Sequence, residues 1–168
     1  HAGRPKEERE AFWNQAIEFV RTRKKSNQFP FVILFDANSS IGQVESLHVG
    51  PRGASKQCCN GFFFHKLLVA SSTFLPSTFD SCHDGQDFTL TLPNGHQLRR
   101  DFIGMPIRWR AGVHSSCDDP DILLATSRED HCAVCCQVSF SNDKAKDVCR
   151  HKPFRFARAA LRQQSVVD

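Results

Sequence analysis

The sequence predicts an α+β fold, and three observations predict it: a helix with clear punctuation at both ends, an apolar run of strand length after it, and alternating segments joined by a tight turn. The helix is expected over Pro5 to Lys25. Proline stands at its start, Glu7, Glu8 and Glu10 occupy the opening turns, and Arg21, Arg23, Lys24 and Lys25 close it, all in the sense that the helix dipole favours. Phe12, Ala16, Ile17, Phe19 and Val20 form one broad apolar stripe, so the helix should lie on a sheet. Pro30 ends the next turn, and Phe31 to Phe35 is a continuous apolar run, expected to be a strand buried on both faces.

Asp36 to Gly42 and the Gly, Pro and Ser-containing stretch to Cys59 read as loop. Asn60-Gly61 opens a second helix, with Phe63, Phe64, Leu67 and Leu68 at helical spacing until Ser71. Leu75 to Phe79 is expected as a short strand. Phe88 to Leu92 alternates as a strand should, and the Pro93-Asn94-Gly95 turn joins it to Leu98 to Ile103 as a hairpin. Arg108-Trp109-Arg110 reads as a further strand, Asp118-Asp119-Pro120-Asp121 as a loop, and the alternation of Val134, Cys136, Val138 and Phe140 as a last, half-buried strand. The domain is expected to span 1–140, with 141–168 a basic linker or tail.

A chain of 168 residues with an ordinary apolar share can bury a real core, and no apolar run is long enough to cross a bilayer, so a soluble domain is expected. The formal charge of +4 suits a polyanionic partner without selecting one. Eight cysteines without a signal segment fit a reducing compartment. Cys132, Cys135 and Cys136 have the spacing of half a zinc site, but no second pair matches it, and the strand reading accounts for them as small apolar residues. His48, His65, His83, His96, His114 and His151 are expected to be exposed loop or helix residues. The chain opens on His1-Ala2-Gly3-Arg4-Pro5 and its one methionine is Met105, so it is expected to be a piece of a longer protein.

Three short motifs carry the chemistry. Asp36 and Asn38, two apart at a strand end, can face one atom if the extended backbone persists. Asp101 lies in the strand after the Pro-Asn-Gly turn, and Asp130-His131 sits just before the last strand. In this order they resemble the C-terminal half of the endonuclease/exonuclease/phosphatase superfamily, which includes pancreatic-type deoxyribonucleases, apurinic endonucleases, neutral sphingomyelinases, inositol polyphosphate phosphatases and the endonucleases of non-LTR retrotransposons. Phe35-Asp36-Ala37-Asn38 is similar to the family's Gly-Asp-Phe-Asn, Arg100-Asp101-Phe102-Ile103 to its Ile/Leu-Asp-Tyr-Ile, and Glu129-Asp130-His131 to its Ser-Asp-His. Asn60 to Leu68, Ser77 to Phe79 and Thr89 to Gly95 have the look of the retrotransposon members.

The resemblance implies half of a four-layered α/β sandwich, its sheets flanked by helices, and Mg²⁺-dependent phosphodiester hydrolysis, with Mn²⁺ an alternative ion. Asp36 would orient or deprotonate water, Asn38 would donate to the phosphoryl oxygens, His131 would contact the phosphate, and Asp101 would hold its tautomer. Asp130 would bind the metal. His1, in the place of a family histidine before the helix, would be a general acid. The expected substrate is DNA, the expected neighbour a downstream reverse transcriptase, and the expected location intracellular and nuclear. Phosphoinositide, sphingolipid or RNA substrates, and an inactive or nucleic-acid-binding remnant, are the alternatives. The family's metal-binding Glu, first-strand Asn and frequent Tyr belong to its N-terminal half. This chain has no tyrosine, so activity from it alone is not expected.

Overall fold

The computed structural model describes residues 4–26, 30–117 and 131–139, and its fold is α+β. The 141–168 tail, the acidic 118–121 loop, Phe140, His151 and the candidates His1 and Asp130 lie outside the described residues. The first helix, α1, runs Lys6–Ser26 as its punctuation requires. Its buried face is Trp13, Ile17 and Val20, while Phe12 and Phe19, assigned to the apolar stripe by sequence, are 52% and 58% exposed. Trp13 is the larger aromatic, and its position four and seven residues before Ile17 and Val20 sets the packing line.

Strand β1 is Ile33–Asp36 and pairs antiparallel with β6, Asp101–Pro106, which pairs on its other side with β2, Thr73–Phe74. The second helix, α2, spans Cys59–Ser71 and packs with α1 against one face of this sheet. Trp13 lies 5.3 Å from Phe35 and 5.9 Å from Phe64, and Phe64 lies 5.4 Å from Phe102, ring centre to ring centre, so aromatic contacts tie both helices to both strands. A Cβ at Gly61 would overlap the Ser40 carbonyl oxygen, which explains why α2 can begin so close to the loop after β1 only with glycine there.

The opposite face carries a second apolar core of Phe74, Cys82, Met105 and Val113, with Ile103, Cys136 and Val138 against it. It is covered by a sheet of order β3 (His83–Gly85), β7 (Val113–Cys117) and β8 (Val134–Val138). That sheet does not shield β1: Leu34 is 73% exposed and Val32 48%. The expectation of a strand buried on both faces is thus corrected. Phe31, Ile33 and Phe35 pack on the core while Val32 and Leu34 do not, and β1 is the edge of its sheet among the described strands.

Three further expectations are corrected. Leu75 to Phe79 is not a strand; Pro76 starts a 3-10 helix, Pro76–Thr78, as fits a residue without an N–H. Arg108-Trp109-Arg110 belongs to another, Ile107–Gly112. The hairpin exists, but its arms are β4, Leu90–Thr91, and β5, Gln97–Leu98. Past Arg99 the chain leaves the hairpin for the first sheet. Arg99 anchors this crossing: it is 9% exposed and donates from Nη2 to Asp87 Oδ1 at 2.9 Å, the oxygen that Arg52 Nε also reaches at 2.8 Å. Burial raises the Asp87 pKa, but the hydrogen bond from Arg52 and the charges of Arg99 and Arg52 outweigh it, holding the carboxyl below its ordinary range. Among the described residues no helix is long and apolar enough to cross a membrane.

His48 departs from the exposed reading, half-buried with Nδ1 2.6 Å from the Thr73 carbonyl oxygen, and so do His83 and His65. His83 is 1% exposed, with Nδ1 2.8 Å from Ser115 Oγ and Nε2 3.2 Å from the Gln86 carbonyl oxygen. His65 Nε2 lies 2.8 Å from Ser46 Oγ. Burial lowers the pKa of both, so the folded chain holds them neutral while the unfolded chain protonates them in the ordinary histidine range. Their contribution to stability is therefore full above about pH 6.5 and is lost as pH falls below it. The melting temperature should drop between pH 7 and pH 5, and the drop should be smaller in His65→Gln, whose amide oxygen can still accept from Ser46; thermal melts across that range check both.

Candidate active site

The register of β1 against β6 sets Asp36 directly opposite Asp101, and such partners project from the same face of the sheet. That face is the one turned away from the helices, since Phe35 and Phe102 pack toward them. Two carboxylates placed opposite one another repel unless each is engaged. Asp101 is engaged by His131, whose Nδ1 lies 2.8 Å from Asp101 Oδ2. With Nδ1–H donating to the carboxylate, the ring is fixed in one tautomer and Nε2 is the nitrogen left to act on a ligand. The imidazole is 38% exposed and the Asp101 carboxylate 26%, so the pair is open to solvent on one side.

Asp36 is engaged by Asn38, but not through an extended backbone as the strand spacing suggests. Asn38 has φ +42°, in the left-handed region that asparagine tolerates better than most residues. The turn brings Asn38 N to 3.1 Å from Asp36 Oδ1 and Asn38 Nδ2 to 3.2 Å from Oδ2. Aspartate thus caps its own turn, and the amide meets the carboxylate by that turn. Leu34, Asp36, Asp101, Ile103, His131 and Val134 line one shallow cleft.

Three supporting residues were missed by sequence reasoning. Thr89 is fully buried, and its Oγ1 accepts from Arg100 N at 2.9 Å and Asp101 N at 3.0 Å. Its carbonyl oxygen accepts from Cys132 N at 2.8 Å, while its own N donates to Leu98 O. One residue thus holds the start of β6 and the segment bearing His131. In the alternating Thr/Leu run this threonine is the buried member and Leu90 only half-buried. Asn60, at the start of α2, donates from Nδ2 to the Asn38 carbonyl oxygen at 3.3 Å and accepts from Arg9 Nη1 at 3.4 Å. Asn60 had a turn signal in sequence; Arg9 had none.

The chain matches no protein-family model, no curated protein and no solved structure. The geometry therefore stands on its own chemistry: a carboxylate-held imidazole, a second carboxylate across one strand pair, and an amide beside it. Among the described residues no three His, Cys, Asp or Glu side chains gather to hold a metal ion. Cys136 is instead part of the second core, where burial pushes its thiol up to about 11.

Thr89→Val keeps the shape of the side chain and removes the acceptor of two half-buried N–H groups. It should lower the unfolding free energy by about 1–3 kcal/mol, whereas Thr89→Ser should lose less; urea titration of both variants measures this.

Proposed function

We propose that this chain carries part of the active centre of a phosphodiesterase that cuts DNA. The observation that carries the reading is the contact of His131 with Asp101 in the cleft that Asp36 also lines. In this reading Asp36 orients and deprotonates the attacking water, and Asn38 donates to charge growing on the phosphoryl oxygens. His131 meets the phosphate through Nε2 while Asp101 supports its positive form. His1 would protonate the leaving oxygen, and the fold would complete a four-layered sandwich. A retroelement endonuclease, working on DNA in the nucleus beside a reverse transcriptase, is the subtype that the Thr89 to Gly95 motif favours.

The reading includes Mg²⁺, or Mn²⁺, with Asp130 as a ligand. The described residues do not form a metal set by themselves: Asp101 is engaged by His131 and Asp36 by Asn38. The roles above are accordingly those of the side chains alone. A hard divalent ion would add charge neutralisation at the phosphate.

The assay is nicking of supercoiled plasmid by the full-length gene product. His131→Ala and Asp36→Ala should each slow nicking by about 100-fold or more, in the range general acid–base groups supply. Normal cutting by both variants would sink the mechanism. Chelation should abolish nicking, and added Mg²⁺ should restore it; activity that persists in excess chelator would remove the metal from the reading.

A further inference from the structure

A second groove adjoins the cleft. It runs from the end of β1 to the opening turns of α1 and is lined by Arg4, Arg9, Phe12, Trp13, Asn38 and Asn60, with Glu8 at its rim. Phe35 and Asp36 line both the groove and the cleft, so the two border one another at the end of β1. We propose that this groove seats the nucleotide next to the scissile phosphate on a nucleic-acid strand, with Arg9 against its backbone phosphate and Phe12 against its base. The proposal rests on the phosphodiesterase reading and adds to it a second surface that holds the strand beside the cleft.

Charge, shape and unspent hydrogen-bonding capacity favour that occupant. The groove's two arginines are balanced by Glu8 and Asp36, a near-neutral set that suits a singly charged diester and lacks the surplus cations that a polyphosphorylated headgroup needs. Arg4 is already paired with Glu8 at 3.3 Å. Arg9 is in no ion pair among the described residues; its one contact there, to Asn60 Oδ1, is long at 3.4 Å, and its buried Nε has no hydrogen-bond partner among them. A guanidinium in that condition is a donor set waiting for an acceptor, and phosphate oxygens match its fork. Phe12 offers the flat surface: it is 52% exposed and is backed by Phe35 at 6.4 Å and Trp13 at 5.5 Å between ring centres. An exposed ring held from behind by two others is a platform for stacking, which every base can use. Through Asn60, Arg9 is also tied to the Asn38 turn, so a phosphate held there lies in register with the cleft.

The test is fluorescence anisotropy of a labelled DNA 12-mer with the full chain, over a salt series, with phosphoinositide-containing vesicles as the competing probe. Arg9→Gln should weaken binding several-fold and reduce the salt slope by about one ion. Phe12→Ala should weaken it by about tenfold, within the range of one base stack, and Phe19→Ala, an exposed ring outside the groove on the same helix, should leave it unchanged. In the wild-type protein the Arg9 Nε–H resonance should move on oligonucleotide addition, a readout that needs no variant. Equal affinity and slope in all variants, a still Arg9 resonance, or preference for the vesicles overturns the proposal. The two readings fail separately: groove-dependent binding by a gene product that never nicks DNA sinks only the hydrolytic function, while nicking indifferent to Arg9 and Phe12 sinks only the groove.

Discussion

The antiparallel register between β1 and β6 is the constraint on which the rest depends. It sets Asp36 across from Asp101, and a slip of one residue would turn either carboxylate toward the helices. The register is held on the helical face by rings: Phe35 and Phe102 both reach Phe64, and Trp13 covers Phe35. Beyond the strand, Ala37 N donates to Arg100 O at 2.8 Å, which carries the pairing past the two carboxylates. Apolar packing on one side of the sheet thus dictates polar geometry on the other.

The loops then aim the remaining groups. Thr89 links β6 through its hydroxyl, and the hairpin and the His131 segment through its main chain, while the Arg52, Asp87 and Arg99 cluster fixes the crossing just before Asp101. Gly53 makes room for that cluster: its φ is +59° and a Cβ there would overlap the Arg99 guanidinium. Cys58 joins the same design at the other end, its Sγ accepting from Ser40 N at 3.2 Å and Gly61 N at 3.4 Å so that α2 starts against the Asn38 loop.

The elements that could be read from sequence were those whose cause is local. Helix α1 has its charges and proline, α2 its spaced Phe64, Leu67 and Leu68, and the hairpin its Asn94-Gly95 turn. Asp36, Asn38, Asp101 and His131 were legible because polar residues at strand ends stand out against apolar runs. Thr89, Asn60 and Arg9 were not, since each owes its place to contacts with residues from 12 to 51 positions away. The same distance explains His83, whose burial depends on Ser115 and on a parallel strand pairing that local pattern cannot announce. Proline misled at Leu75 to Phe79, where the apolar content suggested a strand and the missing N–H imposed a turn of 3-10 helix.

The exposed flank of β1 bears on how the chain behaves in concentrated solution. Leu34 in β1 and Val32 just before it are exposed, and β1 is an edge strand among the described strands, with no charged side chain between Val32 and Asp36. Edges of that kind invite another chain to add a strand, and Pro30 blocks only the entrance. Two apolar side chains beside the site thus offer a place for strand addition, and a lysine at position 34 is the gatekeeper that would oppose it.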